Sequence, residues 1–309
     1  MTDGVVSWVA TAHQIAVRAL GWLEQAQHHF ALPTDISSDR LDPTEHIKPL
    51  SELLLVARIA LREGSVGTRE TQIASALVEF AWAQLREGEV LYELQREQLI
   101  ETYPLECYVW LARCGYRHPR LDKLAAHLNR LRAGQVLEVV PNRALAVFNT
   151  DRQLGLPPRV DPTVLTARTW LGATPEPWAV DFFTLYAMTH TVFHLTDWGA
   201  CPDGLPKQLQ RYLHAWLPAW LEVYLEAGEW DLVGELLIVD LCLSEPGNYP
   251  RAWQALGRAQ FPGGLLPAKA GPVATDAVKV FRDHYHPTVV VAIAGILALS
   301  HHLGAKATR

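Results

Sequence analysis

The chain has 309 residues, of which 49% are hydrophobic and 19% charged, with 11 tryptophans. This composition excludes a disordered chain and supplies enough apolar surface for a large core. The net charge is −6 at pH 7, so no excess of basic side chains is available to neutralise a phosphate backbone, and we expect no nucleic-acid partner.

The N-terminus, the apolar runs and the cysteines predict where the protein resides. The first residues contain no cationic segment that leads into an apolar one, which predicts that there is no signal peptide. The longest apolar run, at residues 289–299, has eleven residues and is too short to cross a bilayer. The four cysteines, Cys107, Cys114, Cys201 and Cys242, show no CxxC spacing, as expected of buried thiols in a reducing compartment. We therefore expect a cytoplasmic protein without a membrane span.

Apolar residues recur every three to four positions along almost the whole chain, and the alternation typical of strands is almost absent. This periodicity predicts an all-α protein. The predicted helices cover residues 5–30, 46–63, 70–87, 90–100, 104–115, 120–133, 141–154, 162–172, 179–198, 206–227, 229–243, 250–260, 273–284 and 287–303. The connections between them are short and none resembles a flexible linker, so we expect a single domain over residues 1–309.

A loose repeat relates the two ends of the chain. RALGWLEQAQHHFALP at residues 18–33 resembles RAWQALGRAQFPGGLLP at residues 251–267. The apolar runs that follow, at residues 46–61 and 284–299, both place Pro three residues after His and twelve before a terminal Leu. Internal similarity of this kind is typical of a repeated helical hairpin.

Four more hairpins can be placed between these two copies. Their first members are residues 81–94, 124–134, 167–178 and 216–228, and their second members are residues 103–115, 140–150, 182–199 and 229–243. The second helices are apolar on nearly all faces, as expected of helices that are buried all round. Four of the six carry a proline near the start, where its missing N–H costs no hydrogen bond: Pro49, Pro104, Pro141 and Pro287. Six outer helices around six apolar inner ones form an (α/α)6 toroid.

The Ala-Gln turn that ends in Leu-Pro, and the His-Pro-Thr helix of the last copy, resemble the repeats of the α/α-toroid superfamily. That superfamily includes class II terpene cyclases, protein prenyltransferase β-subunits and lanthionine cyclases. The chain departs from these enzymes because it has neither an Asp-x-Asp-Asp motif nor the Cys-His dipeptide of the lanthionine cyclase zinc site. The resemblance therefore implies a fold with a central cavity and no particular chemistry.

Four segments carry a second resemblance: IKPLSELL at residues 47–54, TWLGATPEPW at 169–178, THTVFHLTDWG at 189–199 and WDLVGELL at 230–237. They are similar to an uncharacterised actinobacterial family of helical proteins of unknown function, which is DUF6895-like. This resemblance covers nearly the full length and implies no activity.

Polar side chains interrupt the apolar inner helices near their starts. Because a toroid's cavity opens at one end of its inner helices, we expect these side chains to converge. Burial without a partner costs about 1–3 kcal/mol for each such group, so they pair with one another or face a ligand. The set comprises Lys48, Glu52, Tyr103, Glu106, Asn142, Arg143, His190, His194, Glu235, Tyr285 and His286. The alternative is a buried ion-pair network of Glu52, Glu106 and Arg143 that only stabilises the fold.

His190 and His194 stand four residues apart and share a helix face with Asp197. Two imidazoles at this spacing can hold a divalent metal such as zinc. Candidates for a third ligand are His286, Glu235 and Glu106. The glutamate of the HExxH motif is absent, and His194 also fits a core histidine that is bonded to a carbonyl.

Tyr285 and His286 lie at the start of the last inner helix. An imidazole exchanges protons at neutral pH, so the two side chains can form a general acid/base pair; alternatively, Tyr285 packs in the wall. Asp197 fits either a substrate contact or a cap on the turn that follows His194. Trp198 beside it either lines an apolar pocket or packs in the core.

These observations favour a tailoring enzyme with a central apolar cavity. It would catalyse a cyclisation, a lyase step or another proton transfer on a natural-product or peptide-like substrate. The predicted catalytic residues are His190, His194, His286, Tyr285, Glu106 and Glu235, and the predicted substrate-binding residues are Glu52, Tyr103, Asn142, Arg143, Asp197 and Trp198. The expected partner is a small apolar molecule or a peptide, with a divalent metal at His190 and His194 or no cofactor. The alternative is a non-catalytic helical module that binds a peptide or a protein partner in a biosynthetic or regulatory pathway.

Overall fold

A computed structural model describes residues 2–34, 37, 40–136 and 138–307. Over these ranges the chain is all-helical and has no strand, which confirms the predicted all-α class. The α-helices of the described chain are α1 Thr2–Gln25, α2 Lys48–Glu63, α3 Thr68–Gln84, α4 Glu89–Glu97, α5 Tyr103–Arg113, α6 Pro119–Leu128, α7 Arg132–Gln135, α8 Pro141–Leu154, α9 Pro162–Ala167, α10 Trp170–Ala173, α11 Phe182–Thr196, α12 Lys207–Ala227, α13 Trp230–Leu241, α14 Pro250–Ala259 and α15 Ala277–Ala307. A π-helical turn, Pro43–Ile47, leads directly into α2.

Six of these helices contact one another in a closed circuit. Helix α2 packs against α5, α5 against α8, α8 against α11, α11 against α13, α13 against α15, and α15 against α2. Residues 232–241 of α13 and 287–298 of α15 are buried without exception, as expected for helices that lack a polar face. Further helices flank the circuit, with α1 on α15, α3 on α2, α4 on α5 and α12 on α13.

The predicted break between residues 284 and 287 is wrong, because α15 runs through it with Pro287 inside the helix. Proline removes one backbone donor from the turn. In the same turn the hydroxyl of Thr288 donates to the carbonyl of His284 at 2.8 Å, and the residues that follow are buried against α1, α2 and α13. Tertiary packing thus outweighs the local preference for a helix end. The other three prolines stand in first turns as predicted: Pro49, Pro104 and Pro141.

The partner of α1 also differs from the prediction. The sequence repeat pairs α1 with α2, whereas in the fold α1 packs against α15. Gly295 permits this contact, because an added Cβ there would lie 2.5 Å from the carbonyl oxygen of Ala12 and 2.9 Å from the Cβ of Ala16. On α13, an added Cβ at Gly234 would lie 2.8 Å from Cγ1 of Val290. The two glycines therefore permit close packing of α15 against α1 and α13.

Two predicted helices are each divided in the structure. Residues 120–133 form α6 and α7, and residues 162–172 form α9 and α10. At the second break, the hydroxyl of Thr169 accepts the N–H of Gly172 at 3.0 Å and so caps a new helix start.

Among the described helices, α15 is long and apolar enough over Ala277–Gly304 to cross a membrane. In the fold, 67% of its most apolar window is buried. A core helix passes the same length and composition test, so this segment is weak evidence for a span.

Candidate functional site

A cavity of about 430 Å³ lies between the six helices of the circuit, and each of them contributes lining side chains. Ten of the predicted site residues line it: Glu52, Tyr103, Glu106, Asn142, Arg143, His190, His194, Trp198, Glu235 and His286. Two predicted site residues, Asp197 and Tyr285, lie outside its lining. The structure thus brings together polar side chains that are spread over most of the sequence.

Ordered helix starts position several of these side chains. Asp42 caps the turn before α2 by accepting two backbone N–H groups. Pro104 and Pro141 stand in the first turns of α5 and α8, and Glu106 and Arg143 each follow the proline by two residues. Because proline fixes φ in the first turn, the direction of the following side chains is set by the helix start.

His286 is surrounded by carboxylates. Its Nδ1 lies 2.9 Å from Oε2 of Glu52, and its Nε2 lies 3.2 Å from the hydroxyl of Tyr186. The same Nε2 is 3.6 Å from Oδ1 of Asp231 and 3.7 Å from Oε1 of Glu235. We call these five residues, His286, Glu52, Tyr186, Asp231 and Glu235, the His286 cluster.

Electrostatics fix the charge states of the closest pair in the cluster. Burial by itself lowers the pKa of His286, but the charges of Glu52 and Asp231 and the hydrogen bond to Glu52 raise it well above its usual value. Burial likewise raises the pKa of Glu52, yet His286, followed by Lys48, lowers it on balance. At neutral pH the pair is therefore an imidazolium and a carboxylate.

Asp231 is the least satisfied member of the cluster. Burial raises its pKa, attraction to His286 opposes this, and repulsion by Glu235 and Glu52 adds to it, so that the pKa lies at about 6. Its Oδ1 has no hydrogen-bond partner, because 3.6 Å from Nε2 of His286 exceeds hydrogen-bond length. The cluster therefore holds more carboxylates than its single imidazolium can neutralise.

His190 lies beside the cluster. Its Nδ1 is 2.9 Å from the backbone carbonyl oxygen of Tyr186 and 3.8 Å from Oε2 of Glu235. A carbonyl only accepts, so Nδ1 of His190 carries a proton and the ring orientation is fixed by this hydrogen bond. Glu235 is buried and accepts a hydrogen bond from the hydroxyl of Thr189. The site thus places a second imidazole beside the imidazolium of His286.

His194 lines the cavity one turn after His190 and does not join the cluster. Burial, followed by the charges of His190 and Arg143, holds its pKa well below its usual value, and its Nε2 is buried without a partner. Its ring centroid is 6.2 Å from that of His190. No group of three or more His, Cys, Asp or Glu side chains in the described chain is placed to hold a metal ion. The predicted zinc site therefore gains no support from the geometry.

A second ion pair lines the cavity on α5 and α8. Nη2 of Arg143 lies 2.5 Å from Oε1 of Glu106 and 3.4 Å from the hydroxyl of Thr102. Glu52 does not join this pair, since it contacts His286 and, at 3.7 Å, Lys48. Of the three residues in the alternative network, Glu106 and Arg143 are paired with each other, whereas Glu52 is paired with His286.

The turn after α11 presents Trp198 to the cavity. Asp197 and Trp198 have positive φ angles of 49° and 52°, and Arg62 donates to the carbonyls of both, at 2.9 and 2.7 Å. Oδ1 of Asp197 accepts from Asn149 at 3.4 Å. The indole of Trp198 stacks on Phe193 with ring centroids 4.4 Å apart. Arg62 therefore holds the backbone turn, the side chain of Asp197 bonds to Asn149, and Trp198 forms part of the wall.

Tyr285 packs in an aromatic group, with ring centroids 5.2 Å from Phe281 and 5.9 Å from Phe30. Burial, followed by the charge of Glu52, raises the pKa of Tyr285. The phenol within reach of Nε2 of His286 is Tyr186. Tyr285 thus packs in the wall, and the hydrogen-bond partner of Glu52 is His286.

Sequence reasoning missed Tyr186, Thr189 and Asp231. Tyr186 precedes His190 by four residues, and Asp231 precedes Glu235 by four. Residues at this spacing share a helix face. The spacing that singled out His190 and His194 would therefore have identified Tyr186 and Asp231 as well.

A family model described as a domain of unknown function (DUF6895) matches residues 16–296, a range that includes every residue that lines the cavity. No curated protein matches the chain, and no solved structure matches it.

Proposed function

We propose a function for this chain from its cavity, because it belongs to the DUF6895 family, whose description as a domain of unknown function names no activity. The protein is an acid–base enzyme that binds a small natural-product or peptide-like molecule and transfers protons in a cyclisation or lyase step. The observation that carries this proposal is the His286 cluster, in which an imidazolium is hydrogen-bonded to a phenol beside a second imidazole whose Nδ1–H is held by a backbone carbonyl.

The acid side of the site is Tyr186 with His286 behind it. The imidazolium donates from Nδ1 to Glu52 and from Nε2 to the hydroxyl oxygen of Tyr186. The hydroxyl proton of Tyr186 is then free to point toward a substrate. Burial and the charges of Glu235 and Asp231 raise the pKa of Tyr186, so it keeps this proton until a substrate atom takes it. His286 then replaces the proton from Nε2.

The base side of the site is His190. Its Nδ1–H is held by the carbonyl of Tyr186, which orients the free Nε2. The ring centroids of Tyr186 and His190 are 4.5 Å apart, so one small molecule can contact both. It loses a proton to Nε2 of His190 and gains one from Tyr186. Glu235, 3.8 Å from Nδ1, stabilises the imidazolium that forms on His190.

The remaining lining suits a molecule with a polar end and an apolar body. The volume of about 430 Å³ falls within the range of roughly 300–1,000 Å³ that is common for small-molecule sites. Lys48 and Arg143 line it as members of ion pairs with Glu52 and Glu106, and Trp110 and Trp198 supply apolar surface. The expected substrate therefore carries a neutral carbonyl, which can accept the hydroxyl proton of Tyr186, next to the proton that is removed.

We also infer that the helix circuit is the inner ring of an (α/α)6 toroid. This inference is supported by the closed order of contacts, by flanking helices on α2, α5, α13 and α15, and by a cavity to which all six circuit helices contribute. An experimental structure tests it, and a circuit that is open between α15 and α2 would contradict it.

The proton-transfer proposal is tested by deuterium uptake. Purified protein is incubated in D2O with a small-molecule extract of the source organism, and mass spectrometry follows new products and single-deuterium gains. We expect wild type to act on one compound class, and His190→Gln and Tyr186→Phe to lose at least ~100-fold in rate, as is typical of a lost general acid or base. His214→Gln is the matched control, since His214 is exposed on α12. Equal uptake in wild type and in His190→Gln would reject the proposal.

The second candidate is a non-catalytic module that binds a peptide or protein. It is favoured by large aromatic side chains near the start of α11, where Trp178 and Phe183 are 82% and 80% exposed. In the same experiment this candidate predicts that a molecule is retained unchanged, with no deuterium gained, and that His190→Gln has no effect.

A further inference from the structure

A second cavity, of about 180 Å³, lies beside α5 and α8. Most of its wall is apolar, with Leu105, Leu128, Leu131 and Val147 among the lining residues. An apolar cavity of about 150 Å³ in another protein stays dry and binds benzene. This cavity is therefore large enough for one six-membered ring with a small substituent.

Gln95 lines this cavity and holds a buried hydrogen-bond acceptor without a partner. It is 1% exposed, and its Nε2 lies 3.2 Å from the carbonyl of Gln98, 3.4 Å from that of Leu99 and 3.1 Å from that of Glu101. Because carbonyls only accept, these contacts fix the amide so that the NH2 group faces the loop. Its Oε1 is then the atom left buried without a partner, which is costly unless a donor is supplied.

Three of the four charged groups that line this cavity have partners, and the fourth, Glu101, is exposed. Arg159 makes two hydrogen bonds to Asp151, at 2.9 and 3.2 Å, and one to the carbonyl of Gly134 at 3.1 Å. Glu106 is paired with Arg143. A charged ligand would therefore have to compete with an existing partner, whereas a neutral donor would find the free Oε1 of Gln95.

We propose that this second cavity is a binding site for a neutral, ring-sized apolar molecule that carries one hydrogen-bond donor, as a phenol does. The ring lies against the leucine and valine side chains, and the hydroxyl donates to Oε1 of Gln95. Leu99 and Ile100, which line the cavity and are exposed, mark the side from which the molecule enters. The site does not depend on the acid–base chemistry of the larger cavity, although Glu106 and Thr150 line both.

Binding of three probes to wild-type protein tests the chemistry of the ligand. Phenol, anisole and benzoate share a ring, but anisole lacks the donor and benzoate carries a charge. By isothermal titration calorimetry we expect phenol to bind about three- to tenfold more tightly than anisole, the effect of one net hydrogen bond. Benzoate is expected not to bind. Equal binding of anisole and phenol, or no binding of phenol at millimolar concentration, would overturn the proposal.

A matched pair of valine substitutions tests the location. Val147 lines the second cavity and Val289 lines the larger one, and both are buried. We expect Val147→Phe to abolish phenol binding by filling the cavity and Val289→Phe to leave it unchanged; the reverse result would place the ligand in the larger cavity. A measurement on wild-type protein needs no variant. We expect nuclear Overhauser effects from phenol to the methyl groups of Leu105, Leu128 and Val147. Contacts to Val289 in their place would overturn the assignment.

Discussion

Two buried ionic groups in this protein differ in how completely they are neutralised. Arg159 and Asp151 form a bidentate pair that is 10% and 1% exposed, with the third guanidinium nitrogen on the carbonyl of Gly134. In the His286 cluster one imidazolium faces Glu52, Asp231 and Glu235, and Oδ1 of Asp231 has no hydrogen bond.

The difference separates a structural ion pair from a candidate site. In the first group each guanidinium nitrogen and both carboxylate oxygens have a partner, so a ligand has little to gain there, although burial raises the pKa of Asp151. In the second group attraction to His286 lowers the pKa of Glu52, burial raises the pKa of Asp231, and the charges of Glu52 and Asp231 raise the pKa of His286. Displaced pKa values of this kind cluster at sites that move protons.

Removal of one partner from the matched pair should have the largest effect on stability. Arg159→Ala leaves Asp151 buried without compensation, and we expect a loss of about 3–5 kcal/mol in the free energy of unfolding. Urea denaturation at pH 7 measures it. Adding Asp151→Asn should recover part of the loss, because no buried charge then remains. Arg251→Ala, which breaks an exposed pair with Glu222, is the control and should leave the midpoint unchanged.

Removal of the surplus charge from the His286 cluster should have the opposite sign. The folded-state pKa of Asp231 is raised from 3.8 to about 6, so its contribution to stability is full below pH 3.8 and is lost as pH rises through 6. Asp231→Asn should therefore stabilise the protein by on the order of 2 kcal/mol at pH 7. The gain should vanish near pH 4. If Asp231→Asn were less stable than wild type at pH 7, the negative charge of Asp231 would stabilise the fold and the prediction would be wrong.

The imidazolium should give the cluster a pH signature. The pKa of His286 is raised in the folded state, so its stabilisation is fully present below about pH 6.5 and is lost as pH rises toward the folded-state pKa. Unfolding free energy should fall by up to about 1.4 kcal/mol per pH unit above 6.5. Denaturation of wild type and His286→Gln at pH 6.5, 7.5 and 8.5 measures it, and an unchanged slope in the variant would contradict the assignment.

The smallest effect is expected at the rim of the cluster. Lys48 is 51% exposed and lies 3.7 Å from Oε1 of Glu52. Exposed pairs of this kind contribute less than about 1 kcal/mol, so Lys48→Ala should barely change the urea midpoint. Glu52→Gln is the comparison, because it removes the hydrogen-bond partner of Nδ1 of His286 and should cost more. Equal effects would mean that the imidazolium does not depend on Glu52.

Local patterns in the sequence predicted the helical class and most of the polar lining. The three- to four-residue period marks helices, and polar residues such as Glu235 and His286 stand out because the segments around them are otherwise apolar. Tyr186 and Asp231, two further members of the His286 cluster, could have been identified from their four-residue spacing to His190 and Glu235. The local pattern wrongly predicted a helix boundary at Pro287, because burial against neighbouring helices keeps α15 continuous there.

The sequence by itself determined that this chain is helical, that it buries polar side chains and which residue types are available for proton transfer. Only the tertiary structure decided the partners. Glu52 contacts His286, which lies 234 residues away in the sequence, and does not join the Glu106–Arg143 pair. The physical reason is that periodicity reports which face of a helix is buried, and a contact also depends on which helices are neighbours. Here the packing of α2 against α15 brings Glu52 to His286.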